Sequence, residues 1–339
     1  MKAVAFQKPL PIANGLALQD TELPDPVPGL RDLLVEVKAI SVNPVDTKIR
    51  SSSQPPEGQW SILGWDAVGT VRAVGDQVTR FRPGDRVWYA GAINRPGANA
   101  ELHVVDERIA ALAPTSLSDA QAAALPLTGI TAWEMLFDRL GVARAAASQG
   151  KSLLVIGAAG GVGSIMVQLA RQLTGLNVIG TASRPETVAW VRSLGAHHVI
   201  DHSRPLADEF SHAGLPAPDY VVSLTQTDKH FAAIAELIAP QGRFGLIDDP
   251  AAGSIDVSKL KRKSVSLHWE LMFTRPMMQT ADMHKQHELL DEVARLIDAG
   301  KLRSTLGEHF GTINAANLKR AHAFIESGKA RGKVVLEGF

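Results

Sequence analysis

Residues 153–173, LLVIGAAGGVGSIMVQLARQL, run from an apolar stretch through four glycines into a helical pattern. These residue types at this spacing suit the binding of a diphosphate. A helix N-terminus offers N–H groups without acceptors and the positive end of the helix dipole, and glycine lets an anion approach the main chain. Gly157, Gly160 and Gly163 form G-x-x-G-x-x-G rather than the strict G-x-G-x-x-G, with Gly161 and Val162 where the helix starts. Such a turn also occurs as plain structure, so the spacing alone leaves both readings open. The next apolar run, Asn177–Ala182, ends where an NAD site carries an acidic residue for the ribose 2′-hydroxyl, about 20 residues beyond the turn. Here the chain has Ser183-Arg184. A hydroxyl and a guanidinium suit a 2′-phosphate, so the expected cofactor is NADPH. Ser183 has a second reading as the cap of a helix that begins near Pro185, with Glu186 completing the capping box.

The elements that would hold these residues follow from periodicity. Leu153–Ile156 are four apolar residues in a row, the pattern of a strand covered on both faces. Ile165, Leu169 and Leu173 recur every four residues, with Val162 and Met166 alongside, and make one helical face. Beyond the turn come a helix at Pro185–Leu194, strands at Val199-Ile200, Tyr220–Leu224 and Arg243–Ile247, a helix at Lys229–Ile238, and a sixth strand at Val265–Trp269. This alternation predicts a doubly wound parallel sheet. Before it, residues 1–110 carry short alternating runs separated by Pro and Gly clusters, which predicts a compact barrel-like β domain. Residues 118–148 turn helical, with one helix expected over Leu127–Leu140. Helices at Met283–Ala299 and Ala315–Glu326 and a strand at Lys333–Glu337 close the chain.

The 339 residues suggest two domains, and the 45% hydrophobic and 21% charged content is that of a soluble globular protein. With 35 basic and 35 acidic residues there is no charge footprint for nucleic acid or an anionic membrane. Cysteine is missing throughout, which excludes disulfides, thiolate metal sites and a cysteine nucleophile. No 18-residue apolar run or signal-peptide pattern is present, and the expected location is the cytoplasm.

Six blocks in order now carry a resemblance: SVNPVDTKIR at 41–50, GWDAVGTVRAVG at 64–75, FRPGDRVW at 81–88, ALPLTGITAWEML at 124–136, IGAAGGVGSIMVQLA at 156–170 and RGKVVL at 331–336. The chain resembles the medium-chain dehydrogenase/reductase superfamily, in its zinc-free quinone oxidoreductase (zeta-crystallin-like) branch and the subgroup labelled zinc-type alcohol dehydrogenase-like. The resemblance implies an α/β chain: a GroES-like β-barrel domain over 1–125, an inserted Rossmann domain over 126–265, and a return to the barrel over 266–339. It also implies a homodimer or homotetramer. In zinc alcohol dehydrogenases a Cys and a His from the first two blocks hold the metal. Here those positions carry Asn43 and Trp65, so no metal is expected.

Without a metal, the resemblance implies hydride transfer from NADPH to a quinone or an α,β-unsaturated carbonyl, where added charge delocalises onto oxygen. Asn43 is the first candidate donor, to the acceptor carbonyl or the nicotinamide ribose, or else part of an Asn-Pro turn with Pro44, and Asp46 either pins that turn or joins the site. Tyr89 is a second candidate, or else half-buried packing. Thr128 resembles a family position near the nicotinamide and phosphates, or caps the helix that it opens. The family implies that the fourth and fifth strand ends flank the nicotinamide ring, here Leu224-Thr225-Gln226 and Leu246-Ile247-Asp248, with Thr225 and Leu246 the candidate cofactor contacts. His202 stands where relatives often place a Tyr near the 2′-phosphate. Lys329, Arg331 and Lys333 read as a solvated basic turn, or else add charge to that phosphate, and His284 and His287, at a spacing that can seat a metal, read as a solvated helix face. Two other readings stay open: an alcohol dehydrogenase of the zinc-type-like subgroup, and a non-catalytic NADPH-binding protein.

Overall fold

A computed structural model describes residues 1–339, the side chain of Ala146 excepted. The chain divides into two compact units, Met1–Ile130 with Phe273–Phe339, and Thr131–Met272.

The first unit opens with β1 (Lys2–Phe6), β2 (Gln19–Glu22), β3 (Asp32–Val42), α1 (Pro44–Ser52), β4 (Ser61–Ile62), β5 (Ala67–Val74), β6 (Arg86–Tyr89), β7 (Leu102–Asp106) and β8 (Ala110–Leu112). Helix α2 (Asp119–Ala123) and α3 (Pro126–Trp133) follow. Strand β3 is the spine. Its alternate residues Leu33, Val35, Val37 and Ala39 are buried, the period of two that a one-sided strand requires. It pairs antiparallel with β5 and β7, and its register slips beside Val37. Gly69 lies opposite that slip, where a Cβ would stand 2.2 Å from the Glu36 carbonyl oxygen, so only glycine fits.

The second unit holds β9 (Ser152–Ile156), α4 (Gly161–Leu173), β10 (Asn177–Thr181), α5 (Pro185–Ser193), β11 (His198–Ile200), α6 (Leu206–His212), β12 (Tyr220–Ser223), α7 (Thr227–Leu237), β13 (Arg243–Leu246) and β14 (Ser266–Trp269). All six strands run parallel in the order β11-β10-β9-β12-β13-β14. That is the doubly wound order, which reverses direction at β9 and opens a crevice at the strand carboxyl ends. Leu154, Ile156, Ile179, Val221, Phe231 and Phe244 form the core on one face of the sheet.

The chain then returns to the first unit through α8 (Thr274–Met278), α9 (Lys285–Asp298), β15 (Leu306–His309), α10 (Ala315–Glu326) and β16 (Lys333–Glu337). Strand β16 lies antiparallel beside β3, with Val334 opposite Val42. No helix among the described residues is long and apolar enough to cross a membrane.

Two expectations need correction. His287 is not on a solvated face: α9 packs on β8, and the His287 Nδ1 lies 2.7 Å from the Ala110 carbonyl oxygen. His284 stays at the surface, 3.6 Å from Glu288. The helix expected over Leu127–Leu140 is α-helical only to Trp133 and widens to a π turn over Glu134–Arg139. The wider turn brings residues five apart into register. Arg139 Nη2 lies 3.5 Å from Glu134 Oε2, and Arg139 Nε donates to Glu270 Oε2 at 2.7 Å.

Both of those carboxyls are buried, and one arginine cannot neutralise two of them. Burial, and then the adjoining Glu134, push the Glu270 carboxyl well above the usual range. The folded chain therefore holds a proton there that the unfolded chain has lost, so stability falls as pH rises from the ordinary carboxylate range into alkali. Glu270→Gln accepts from Arg139 and donates to Glu134 without titrating. Its melting temperature, followed by calorimetry, is expected to fall less steeply than that of the wild type over this range. Parallel curves would contradict the shared proton.

Candidate functional site

In the second unit the chain leaves β9 through Gly157, whose φ of +81° suits glycine. Its N–H donates to Thr181 Oγ1 at 3.1 Å, and the Gly160 N–H returns to the Gly157 carbonyl at 3.1 Å. Gly160 is the N-cap of α4, so Gly161, Val162 and Gly163 supply the first helical N–H groups, which have no acceptor within the helix. The glycines do different work. A Cβ on Gly163 would stand 2.5 Å from Ala158 Cα and from the Gly157 carbonyl oxygen, so that position is glycine for packing. A Cβ on Gly160 would meet only the Gly157 carbonyl oxygen, at an ordinary 3.5 Å. The protein itself has no steric need for glycine at 160. A cradle that a Cβ would fill fits a diphosphate resting on the N-terminus of α4.

Ser183 is exposed and does not cap α5; the N-cap is Arg184. Pro185 occupies the first helical position, which makes the residue before it the cap. Thr187, not Glu186, completes the turn: its Oγ1 donates to the Arg184 carbonyl at 2.8 Å. Glu186 instead pairs with the half-exposed Arg184 guanidinium at 3.2 Å. His202 Nδ1 lies 3.2 Å from Thr181 Oγ1, so it reaches the glycine turn through one hydroxyl. The His230 ring meets the His202 ring edge-on, with centroids 6.1 Å apart, and burial lowers both pKa values. Nothing in the sequence pointed to His230. Thr225 lies against the turn, its Cγ2 3.0 Å from where a Cβ on Gly157 would be. The Leu246 side chain belongs to the core and its carbonyl accepts from the Glu270 N–H at 3.1 Å, so the residue is engaged within the sheet.

In the first unit Asn43 is buried and its amide is engaged. Nδ2 donates to Asp66 Oδ2 at 3.2 Å, and Oδ1 accepts from the Lys333 ammonium. An ammonium only donates, so the amide orientation is fixed. Lys333 Nζ also lies 3.0 Å from Asp66 Oδ2, which accepts from Ser41 Oγ at 2.7 Å. The other oxygen, Asp66 Oδ1, accepts from the Leu127 N–H at 2.9 Å. Asp46 holds the turn: its Oδ2 accepts from the Asn43 N–H at 2.6 Å and its Oδ1 from the Gly64 N–H at 3.0 Å. Burial pushes its carboxyl up to about 7.

This arrangement revises three expectations. Asn43 is a strut inside a buried ion network, so its amide is not free for a substrate carbonyl. Lys333 is not on a solvated basic turn; it is buried as the cation of that network. Tyr89 is wholly buried, and its hydroxyl lies 3.1 Å from His103 Nδ1. His103 Nε2 lies 2.9 Å from the Pro96 carbonyl oxygen, which can only accept; the ring proton is therefore on Nε2 and Tyr89 donates to Nδ1. Burial raises the Tyr89 pKa and lowers that of His103 to about 4. Thr128 is buried as well, and its hydroxyl donates to the Leu125 carbonyl at 3.2 Å. Asp66 and Lys333 both stand in the resemblance blocks, yet it is the pairing of β3 with both β5 and β16 that brings them together.

The zinc implied by part of the family finds no fitting ligands. The Trp65 indole is buried and donates its N–H to the Ala92 carbonyl at 3.1 Å. Among the described residues, no three His, Asp or Glu side chains converge in a way that could hold a metal. The ion network gives a stability prediction. Lys333→Met leaves Asp66 buried without its cation and is expected to cost about 3–5 kcal/mol in chemical denaturation. Asp66→Asn in the same chain returns part of that loss. Strictly additive losses would mean that the two residues do not interact.

Residues 194–336 match the zinc-binding dehydrogenase family, and residues 29–115 match the alcohol dehydrogenase GroES-like domain. A zinc-type alcohol dehydrogenase-like protein of Staphylococcus aureus (strain MSSA476) is 41% identical, covering 99% of each chain. A crystal structure from Rhizobium etli CFN 42, described as a zinc-dependent alcohol dehydrogenase protein, superposes with a TM-score of 0.96 at 61% identity, covering 100% of this chain and 98% of that one. The Escherichia coli quinone oxidoreductase complexed with NADPH superposes with a TM-score of 0.83 at 26% identity, covering 99% and 100%. The chain therefore belongs to the medium-chain dehydrogenase/reductase superfamily, among zinc-type alcohol dehydrogenase-like proteins and quinone oxidoreductases, and is an oxidoreductase built for a nicotinamide cofactor.

Proposed function

We propose that this chain transfers hydride from NADPH to a quinone or an α,β-unsaturated carbonyl without zinc. The observation that carries the reading is the cradle at Gly160, left open by the protein's own packing and followed at the end of β10 by Arg184 rather than an acidic residue. When bound, NADPH supplies the hydride. Gly161–Gly163 hold the diphosphate through backbone N–H groups, and Arg184 exchanges Glu186 for the 2′-phosphate, a charge-assisted contact. Asn43 and Trp65 stand where a zinc site would need ligands, and both are engaged internally. No metal then polarises an isolated carbonyl, which favours an acceptor that spreads charge over a conjugated system. With Asn43, Tyr89 and Trp65 all engaged, the proton comes from water.

Relatives support this acceptor class. A quinone oxidoreductase of Pseudomonas aeruginosa is 34% identical over 91% of the chain, and a 2-methylene-furan-3-one reductase of Solanum lycopersicum is 29% identical over 91%. Exposed Trp269 and Leu271 at edge strand β14 suit pairing with a second copy in a homodimer.

Three variants separate binding from folding. Gly160→Ala is expected to melt like the wild type yet bind NADPH about tenfold more weakly, whereas Gly163→Ala lowers the melting temperature. Arg184→Ala should reduce the preference for NADPH over NADH by about 10- to 100-fold in fluorescence titration. A wild type that prefers NADH would contradict the cofactor assignment. For the acceptor, NADPH oxidation is followed with 9,10-phenanthrenequinone and a panel of enones. Alcohol-dependent reduction of NADP⁺ by a chain carrying stoichiometric zinc would overturn the assignment, and NADPH binding without turnover would mark a non-catalytic binder.

A further inference from the structure

Thr227, the first residue of α7, is wholly buried and makes polar contacts through both its N–H and its hydroxyl. The N–H donates to Asp248 Oδ2 at 2.9 Å, and the hydroxyl contacts Asp248 Oδ1. One residue thus grips both oxygens of one carboxylate. Thr227 Oγ1 also lies 2.8 Å from the hydroxyl of Ser223, the last residue of β12. The carboxylate accepts, so the single Thr227 proton goes to Asp248 and Ser223 donates to Thr227.

The placement of this clamp is informative. The β12–β13 ladder ends at the pair Ser223 and Leu246. Beyond it the chain continues as Leu224–Gln226 on one side and Ile247-Asp248 on the other, with no ladder to couple them. Gln226 is held at φ +50°, a left-handed conformation that is strained for a non-glycine residue. Lys229 Nζ ties its side chain at 2.9 Å. The same loop touches the glycine turn: the Leu224 N–H donates to the Ile156 carbonyl at 3.1 Å, and a Cβ on Gly157 would stand 3.0 Å from Thr225 Cγ2. A dinucleotide whose diphosphate rests on α4, with its 2′-phosphate beyond β10, extends its other half past β9 to the ends of β12 and β13.

We propose that Thr227 and Asp248 are positioning residues for the nicotinamide half of the cofactor, locking together the two strand-end loops on which the ring rests. The proposal relies on the NADPH reading above. Ring placement governs hydride transfer steeply, whereas the adenosine half binds on the far side of the glycine turn and does not sense the clamp.

The full-length chain tests this with two ligands. 2′,5′-ADP probes the adenosine half alone. NADPH probes the ring, through the fluorescence of the bound nicotinamide and through single-turnover hydride transfer to 9,10-phenanthrenequinone with 4-deuterated cofactor. Thr227→Val is expected to bind 2′,5′-ADP within about twofold of wild type, to change the bound-nicotinamide fluorescence and to slow hydride transfer about tenfold or more, with a larger deuterium effect on kcat. Thr227→Ser, which keeps the hydroxyl, should restore both ring readouts, and Asp248→Asn should fall between them. Unchanged fluorescence and transfer in Thr227→Val, or a proportional loss of 2′,5′-ADP binding, overturns the clamp. A wild type that does not bind 2′,5′-ADP overturns the NADPH reading, and the clamp with it.

Discussion

At Gly163 the first turn of α4 lies so close to Ala158 and the Gly157 carbonyl that no side chain fits between them. This approach sets where β9 ends and where the helix N-terminus points, and the rest of the dinucleotide unit is arranged around it. Gly157 reaches Thr181 through its N–H, Thr181 reaches His202, and Leu224 and Thr225 pack against Gly157 from the other side. The crevice at the strand ends is thus one connected surface. A shift of the helix by even a methyl group would be felt at β10 and β12 together, because interiors are close-packed.

The other unit is organised by charge. Lys333, Asp66, Asn43 and Asp46 form a buried network in which the groups satisfy one another across β16, β3 and α1. Such networks are costly unless completed, since each buried charge needs a partner and filled hydrogen bonds. Completing this one occupies Asn43, at one position where zinc relatives carry a ligand, while Trp65 at the other bonds the Ala92 carbonyl. In the proposed reading the fold is kept without a Lewis acid, and the substrate supplies its own means of spreading charge.

The glycine turn, the six parallel strands and the order of the blocks were legible because each is a local pattern of period two or four, or a fixed spacing. Residues whose role depends on distant pairing were not. Lys333 looked like part of a basic turn because the sequence does not say that β16 lies beside β3. Tyr89 and Asn43 carried the right functional groups, but burial and partners decide availability, and those come from the tertiary fold. The cap of α5 is legible locally, because Pro185 at the first helical position names Arg184 as the cap. The π turn at Glu134–Arg139 answers to Glu270, far along the chain, and no window around it carries that signal.

The most direct measurement is a crystal structure of the chain with NADPH, refined together with anomalous data that would locate zinc. The expected result has diphosphate oxygens at about 3 Å from the N–H groups of Gly161 and Val162, the 2′-phosphate on the Arg184 guanidinium, and no metal near the nicotinamide ring. A diphosphate bound away from α4, or a zinc ion beside the ring, would contradict the account.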